Sequence, residues 1–145
     1  TDLGIMAKNF MDNGELVPDE VTIKMLESEV NKYPDSSGFI FDGFPRTTYQ
    51  AQKLDKFLTS KSTSITKMIA LDVPEQELIL RLLSRGKASG RADDQNKDII
   101  VNRIKVYENQ TAVLADYYGA QNKLSKVNGI GTVDEVTDRL YHVID

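Results

Sequence analysis

Several residue types and patterns are scarce or missing in this chain, and each absence excludes a class of protein. The 145 residues contain no Cys and a single His, His142, which excludes disulfide scaffolds, zinc–thiolate sites and histidine metal clusters. No apolar run approaches the ~18 residues that a membrane-spanning helix needs, and no basic and then apolar leader stands at the start. No repeat or Pro/Gly-rich linker divides the chain. We therefore expect one domain over residues 1–145, located in the cytoplasm, without zinc and without a membrane partner.

The composition that is present is typical of a globular protein. Hydrophobic residues make up 40% of the chain and charged residues 28%, with a formal net charge of -4. A chain of this size buries roughly two-thirds of its unfolded surface, which is enough for a real core. The sequence opens at Thr1 without an initiator Met, and this start predicts a piece of a longer protein.

The hydrophobic spacing predicts an alternation of helices and short strands. Helices are expected over residues 3–11, 18–31, 48–58, 74–86, 98–118 and from 132 onward, and strands over residues 39–41, 65–73 and, more weakly, 126–128. The signals include a cap at Thr47 or Thr48 and a capping box formed by Thr132 and Glu135. This order predicts an α/β domain with a parallel sheet whose ligand site lies at the carboxyl ends of the strands.

The end of the first predicted strand carries a phosphate-binding pattern. Asp42 would orient a hydrated Mg²⁺, Gly43 would let a ligand approach the backbone, and Pro45 would fix the turn that aims Arg46. A guanidinium suits bidentate binding of phosphate. The alternative is an ordinary Asp-Gly turn beside a solvated arginine, but the adjoining Pro-Arg pair and the helix cap favour the functional interpretation.

The arginines are clustered in one part of the chain. Residues 81–105 carry seven basic and three acidic side chains, a net charge of +4, whereas the rest of the chain carries -8. Arg81 and Arg85 are four residues apart on one helical face and would repel each other unless an anion lay between them. With a pI near 5.0, the chain lacks the broadly basic surface of a nucleic-acid-binding protein, so the island predicts a small phosphorylated ligand. The alternative is a solvated helix face.

Together these residues resemble the adenylate kinase family across essentially the whole chain. The most specific match is the run from Gly38 to Thr47 with Gln50 after it. The other matching segments are residues 13–20, 81–85, 89–94 with Arg103, and 127–132.

The resemblance implies an α/β fold, a P-loop-kinase-like parallel sheet flanked by helices, and a known reaction. That reaction is the reversible, Mg²⁺-dependent transfer of a phosphoryl group from ATP to AMP, giving two ADP. The catalytic residues implied are Arg46, Arg81, Arg85, Arg91 and Arg103. The AMP-binding residues implied are Glu15, Leu16, Val17, Gly43, Phe44, Pro45, Arg46, Gln50, Arg91 and Arg103, with Arg46 on the phosphate and Gln50 on the adenine. Arg81, Arg85 and Gly131 would contact ATP.

The resemblance also implies how the metal and the mobile segments are arranged. Asp42, Asp93 and Asp94 would order the water around Mg²⁺ or orient a short lid over about residues 86–97, with no direct protein ligand to the metal. Residues 1–30 would form part of the AMP-binding region. Thr47 and Gln50 favour AMP over UMP or CMP, which leaves a kinase for another nucleoside monophosphate as the nearest alternative. Members of the family are usually monomeric.

One element of the family is missing from this sequence. The phosphate-binding loop G-x-x-x-x-G-K-[ST] does not occur, and in the family it precedes the helix that here begins near Thr1, together with a central strand of the sheet. We therefore expect this chain to be inactive alone, and we expect the gap in its sheet to be closed by self-association, an added segment or shifted pairing. A non-catalytic nucleotide-binding module is the alternative from a different class.

Overall fold

The protein is described by a computed structural model that covers residues 1–89 and 97–144, with the side chains of residues 88 and 89 left aside. The chain forms two compact units, Thr1–Ser64 and Ile65–Asp145. None of the described helices is both long enough and apolar enough to cross a membrane.

The first unit consists of three helices, α1 (Asp2–Asp12), α2 (Asp19–Asn31) and α3 (Thr48–Ser60). Local signals set their ends as the sequence predicts. The hydroxyl of Thr1 accepts from the backbone N–H of Gly4, and the hydroxyl of Thr47 accepts from that of Gln50. Gly14 follows α1 with φ +73°, the left-handed conformation that glycine adopts without strain. Helix α2 packs against both α1 and α3. The apolar core of this unit consists of Ala7, Val21, Ile23, Val30, Ala51, Leu54 and Leu58.

The strand predicted at residues 39–41 is absent, so this prediction was wrong. The segment is irregular, and the side chain of Ile40 is 89% exposed. The rings of Phe39 and Phe41 stack with their centroids 6.3 Å apart, but no strand of the described chain lies beside them. An apolar run becomes a strand only when a neighbour supplies backbone partners, and the described sheet has two strands, both in the second unit.

The second unit contains β1 (Met68–Asp72), α4 (Glu75–Ser89), α5 (Lys97–Gly119), β2 (Leu124–Asn128) and α6 (Val133–Ile144). The two strands are parallel, with Met68 opposite Leu124 and Asp72 opposite Asn128. Helix α5 packs against both strands, α4 packs on α5, and α6 packs on β2. The core of this unit consists of Ala70, Ile100, Ile104, Leu114, Tyr118 and Val127. This is a mixed α/β fold with a small parallel sheet flanked by helices.

Two details of the second unit differ from the sequence-based expectation. Helix α4 continues through Gly86 to Ser89, because a glycine inside a helix costs only about 1 kcal/mol and need not end it. Strand β1 is less buried than predicted: Ala70 is buried, whereas Leu71 is 41% exposed. In a sheet of two strands each strand has only one neighbouring strand, so more of its side-chain surface stays exposed to solvent.

Candidate functional site

The loop before α3 holds Arg46 in a defined position. Gly43 has φ +76°, and a side chain there would meet the guanidinium of Arg46 at 3.4 Å. The Nε of Arg46 donates to the carbonyl of Gly43 at 2.8 Å. The peptide bond between Phe44 and Pro45 is cis. The side chain of Arg46 is exposed, and its Nε bond leaves the four N–H groups of its two terminal nitrogens without a partner among the described residues.

Gln50 connects this loop to two helices. Its side chain is 8% exposed, its Oε1 accepts from the backbone N–H of Arg46 at 2.7 Å, and its Nε2 donates to Asp19 Oδ1 at 2.8 Å. The backbone N–H of Gln50 donates to the Thr47 hydroxyl at 3.1 Å. Gln50 and Arg46 are therefore brought together, and Asp19 on α2 joins them. The sequence pattern indicated only that the charge of Asp19 suits a helix N-terminus.

A second contact between α2 and α3 lies beside the first. The hydroxyl of Tyr49 donates to Glu20 Oε1 at 2.8 Å. This hydrogen bond holds the pKa of Glu20 below its usual value and raises the pKa of Tyr49. The ammonium of Lys53 lies 5.5 Å from the centroid of the Tyr49 ring. Sequence reasoning missed this contact. The signal that could have indicated it is an acid and a tyrosine, each in the first turn of its helix.

The remaining predicted residues of the first unit lie in its loops. Leu16 is 93% exposed, Val17 is half-buried, and the backbone N–H of Glu15 donates to the carbonyl of Phe10 at 2.8 Å. Asp42 is exposed at a cavity of about 300 Å³ whose walls include Phe44. An exposed leucine beside a half-buried valine offers an apolar surface to a ligand.

In the second unit, the carboxyl ends of both strands meet at one edge of the sheet, as the parallel arrangement requires. A cavity of about 360 Å³ opens there, with Asp72, Pro74 and Asn128 among its lining residues. The backbone N–H of Gly129 donates to the Asp72 carbonyl at 2.9 Å, and a side chain at Gly129 would come within 2.5 Å of Val73. The chain thus passes close to β1 before it reaches Gly131, which has φ +117°.

Arg81 on α4 contacts the loop that follows β2. Its Nη2 donates to the carbonyl of Gly129 at 2.9 Å, and its Nε donates to Glu77 at 3.0 Å. Glu77 lies one turn before Arg81 and supplies a counter-charge, which reduces the repulsion between Arg81 and Arg85. The spacing of the two arginines is therefore weaker evidence for an anion between them. The structure therefore places Arg81 beside the loop that carries Gly131.

Of the other predicted arginines, two lie on helices and one lies outside the described residues. Arg85 is exposed on α4, and Arg103 is half-buried on α5, which packs against α4. Arg91, Asp93 and Asp94 lie outside the described residues, as does most of the predicted lid. Their assignments remain predictions.

Arg139 on α6 contacts this loop, and sequence reasoning missed it. Its Nη1 donates to the carbonyls of Asn128 at 2.7 Å and Ile130 at 2.5 Å, and its Nη2 lies 4.0 Å from Glu135. The predicted capping box is present: the Thr132 backbone N–H donates to Glu135 Oε2 at 3.1 Å, and the Glu135 backbone N–H donates to the Thr132 hydroxyl at 3.2 Å. Arginines from α4 and α6 together fix the loop at residues 128–131.

Within residues 1–89 and 97–144, no three His, Cys, Asp or Glu side chains form a group that could hold a metal ion. The exposed carboxylate of Asp42 remains open to water-mediated contact with a hydrated cation. The absence of a direct protein ligand to Mg²⁺ stays a prediction.

Comparison with known proteins places this arrangement in a family. The sequence model described as adenylate kinase matches residues 1–123. An adenylate kinase from Flavobacterium psychrophilum is 56% identical over all 145 residues, which span 76% of its length. Adenylate kinases from Bacteroides thetaiotaomicron and Synechococcus are 45% and 41% identical over the whole chain, covering 76% and 75% of their lengths. This chain belongs to the adenylate kinase family.

Proposed function

We propose that this chain serves the adenylate kinase reaction, the reversible and Mg²⁺-dependent transfer of the γ-phosphoryl group of ATP to AMP, by binding its nucleotides. The observation that carries the proposal is the pairing of Arg46 with Gln50 at the start of α3. Within this function, AMP and ADP bind to the first unit, and ATP or ADP contacts the loop after β2. We place the reaction in the cytoplasm.

The AMP side is argued from the unused hydrogen-bonding groups of the two side chains. The N–H groups at the exposed tip of Arg46 suit the planar recognition of a phosphate. Gln50 uses one amide N–H and one lone pair within the protein, which leaves one of each for an adenine edge. Leu16 and Val17 supply the apolar surface against which a base packs, and Glu15, Gly43, Phe44 and Pro45 frame it.

The ATP side is argued from the loop at residues 128–131. Gly131 has no side chain and a positive φ, so its backbone can lie against a base. Arg81 donates to the same loop, and Arg85 on the same helix extends the positive charge. Phosphoryl transfer depends on positioning and on several cations focused on the transferred group, and Arg91 and Arg103 complete this set in the proposal.

Mg²⁺ enters with the nucleotide and, when bound, neutralises phosphate charge. Asp42 is the described carboxylate that we assign to its water shell, together with Asp93 and Asp94. These side chains would orient the water and the lid without a direct bond to the metal.

Calorimetric titration of the 145-residue chain with AMP, UMP and CMP tests the AMP side. We expect AMP to bind more tightly than UMP or CMP. Arg46→Met should weaken AMP binding by roughly 100-fold, because a charge-assisted bidentate contact is lost. As a control, Lys56→Met removes a positive charge from the exposed face of α3 and should leave the affinity for AMP within about twofold. Equal loss in the two variants, or tighter binding of UMP or CMP, would contradict the assignment.

Phosphoryl transfer is measured separately from binding. Because the sequence contains no G-x-x-x-x-G-K-[ST] motif, we expect the 145-residue polypeptide to bind AMP without appreciable conversion of ATP and AMP to ADP. Turnover close to that of a full-length relative would overturn this expectation. Failure to bind any adenine nucleotide would favour a different function.

A further inference from the structure

The geometry points to Asp19 as a positioning residue that sets which purine the site accepts. This inference rests on the proposed function, since it concerns the residue that we assign to the adenine. Asp19 is at the first position of α2, half-buried, and its Oδ1 accepts from Gln50 Nε2 at 2.8 Å across 31 residues of sequence. Nothing in the adenylate kinase reaction itself requires an acid at this point.

The Gln50 amide has two possible orientations, and its two partners select one. The oxygen and nitrogen of an amide are nearly equal in size, so hydrogen-bond partners decide which way the group points. The backbone N–H of Arg46 can only donate and therefore faces Oε1. The carboxylate of Asp19 can only accept and therefore faces Nε2. Because Gln50 is 8% exposed, water has little access to replace either partner.

A fixed amide distinguishes bases by the pattern of donors and acceptors on their edges. Adenine presents an acceptor, N1, beside a donor, the 6-amino group. Hypoxanthine presents a donor, N1–H, beside an acceptor, the 6-oxo group. An amide held in one orientation complements one of these patterns, and the rotated amide complements the other. Asp19 therefore favours AMP over IMP by opposing rotation of the Gln50 amide, without contacting the base.

The partner contacts make distinct variants possible. Asp19→Ala removes the acceptor. Asp19→Asn keeps a carbonyl oxygen that can accept from Gln50, but its own amide can rotate and donate instead, so it no longer selects one orientation of Gln50. Glu20→Gln is the matched control, since Glu20 stands at the next position of the same helix turn and bonds to Tyr49 instead of Gln50. It removes the same charge from the helix N-terminus.

The experiment measures the ratio of AMP to IMP affinity for the 145-residue chain by calorimetry. We expect the ratio to fall roughly tenfold in Asp19→Ala, because one of two orienting hydrogen bonds is lost. It should fall by a similar factor in Asp19→Asn and stay within about twofold of the starting value in Glu20→Gln. If Asp19→Ala does not fold, Asp19→Ser, with a side chain too short to reach the amide and a residue type tolerated at helix starts, gives the same test.

Each outcome decides the inference. An unchanged ratio in Asp19→Ala, measured on a folded variant that still binds AMP, overturns it and leaves the proposed function intact. An equal loss in Glu20→Gln and Asp19→Ala also overturns it, because charge and not amide orientation would then be acting. A starting chain that binds neither nucleotide overturns the proposed function and this inference together.

Discussion

Each unit has one loop that carries candidate ligand-binding residues, and the two loops are held in different ways. The loop before α3 is fixed by its own neighbours, through contacts from Arg46 to Gly43 and from Gln50 to Arg46, each within four residues. The loop after β2 is fixed from a distance, by Arg81 on α4 and Arg139 on α6. The first arrangement uses the side chains that we assign to the ligand. The second uses the backbone carbonyls of the loop.

This difference predicts how each loop responds to substitution. In the first unit, a change at Arg46 or Gln50 alters both the ligand contact and the shape of the loop. In the second unit, Arg139 bonds to backbone carbonyls and holds the main chain, so its loss should lower stability before it alters ligand contacts directly. Substitutions made in matched pairs across the two units can separate these effects.

The largest expected effect comes from the two cores. Leu54 in the first unit is 1% exposed and Ile100 in the second is 0% exposed. Replacement of either by Ala should lower the free energy of unfolding by about 2–5 kcal/mol through lost burial and a residual cavity. Urea unfolding followed by circular dichroism measures the change. Leu80→Ala, at a side chain that is 63% exposed, is the control and should cost well under this amount.

Arg139→Met should produce the next largest effect. The variant removes two charged donors from the carbonyls of Asn128 and Ile130 and should destabilise the chain by about 1–2 kcal/mol, reduced by the partial exposure of the side chain. Thermal unfolding measures the loss. Lys87→Met removes the same charge from an exposed position on α4 and serves as the comparison. Equal losses in the two variants would show that net charge, and not the hold on the loop, matters.

The helix caps provide a pair with similar chemistry in both units. Thr47→Ala and Thr132→Ala each remove a hydroxyl that accepts from a helix N–H, and each should cost about 1 kcal/mol. Only Thr47→Ala should also weaken AMP binding, since its cap bond goes to the backbone of Gln50. Paired thermal unfolding and calorimetry check this. An equal loss of AMP affinity in both variants would contradict the local control of the first loop.

Sequence patterns predicted the features that depend on nearby residues. The caps at Thr47 and Thr132 and the helix starts near Pro18 and Pro74 all follow from contacts within about four positions. The strands at β1 and β2 were also predicted, and their parallel pairing brings Asp72 and Asn128 to one edge as expected. The bond from the Arg46 backbone N–H to Gln50 also spans four positions, but no sequence pattern predicted it.

The features that were missed depend on distant residues or on a neighbour in space. Residues 39–41 have the composition of a buried strand, but composition does not provide a partner strand. The bonds from Asp19 to Gln50 and from Arg81 to Gly129 span 31 and 48 residues, which no helical or strand period reveals. The low helix propensity of Gly86 predicted a helix end there. Packing of α4 outweighs this local preference, and the helix continues to Ser89.

The smallest expected effect comes from loss of the contact between Tyr49 and Glu20, which joins α2 to α3 in the first unit. The hydrogen bond lowers the pKa of Glu20, so the stabilisation is present above the unfolded pKa of this carboxyl and is lost as pH falls through the folded one. Tyr49→Phe should therefore lower the melting temperature slightly at neutral pH, and the difference should shrink as the pH falls below the ordinary glutamate pKa. The pKa of Tyr49 is raised by the same bond, so the contact is also lost at alkaline pH as the hydroxyl ionises.

Tyr141→Phe, at an exposed tyrosine of α6, should show no such pH dependence. A constant difference between Tyr49→Phe and the parent chain from acid to neutral pH would mean that the ring's packing, and not its bond to Glu20, joins α2 to α3.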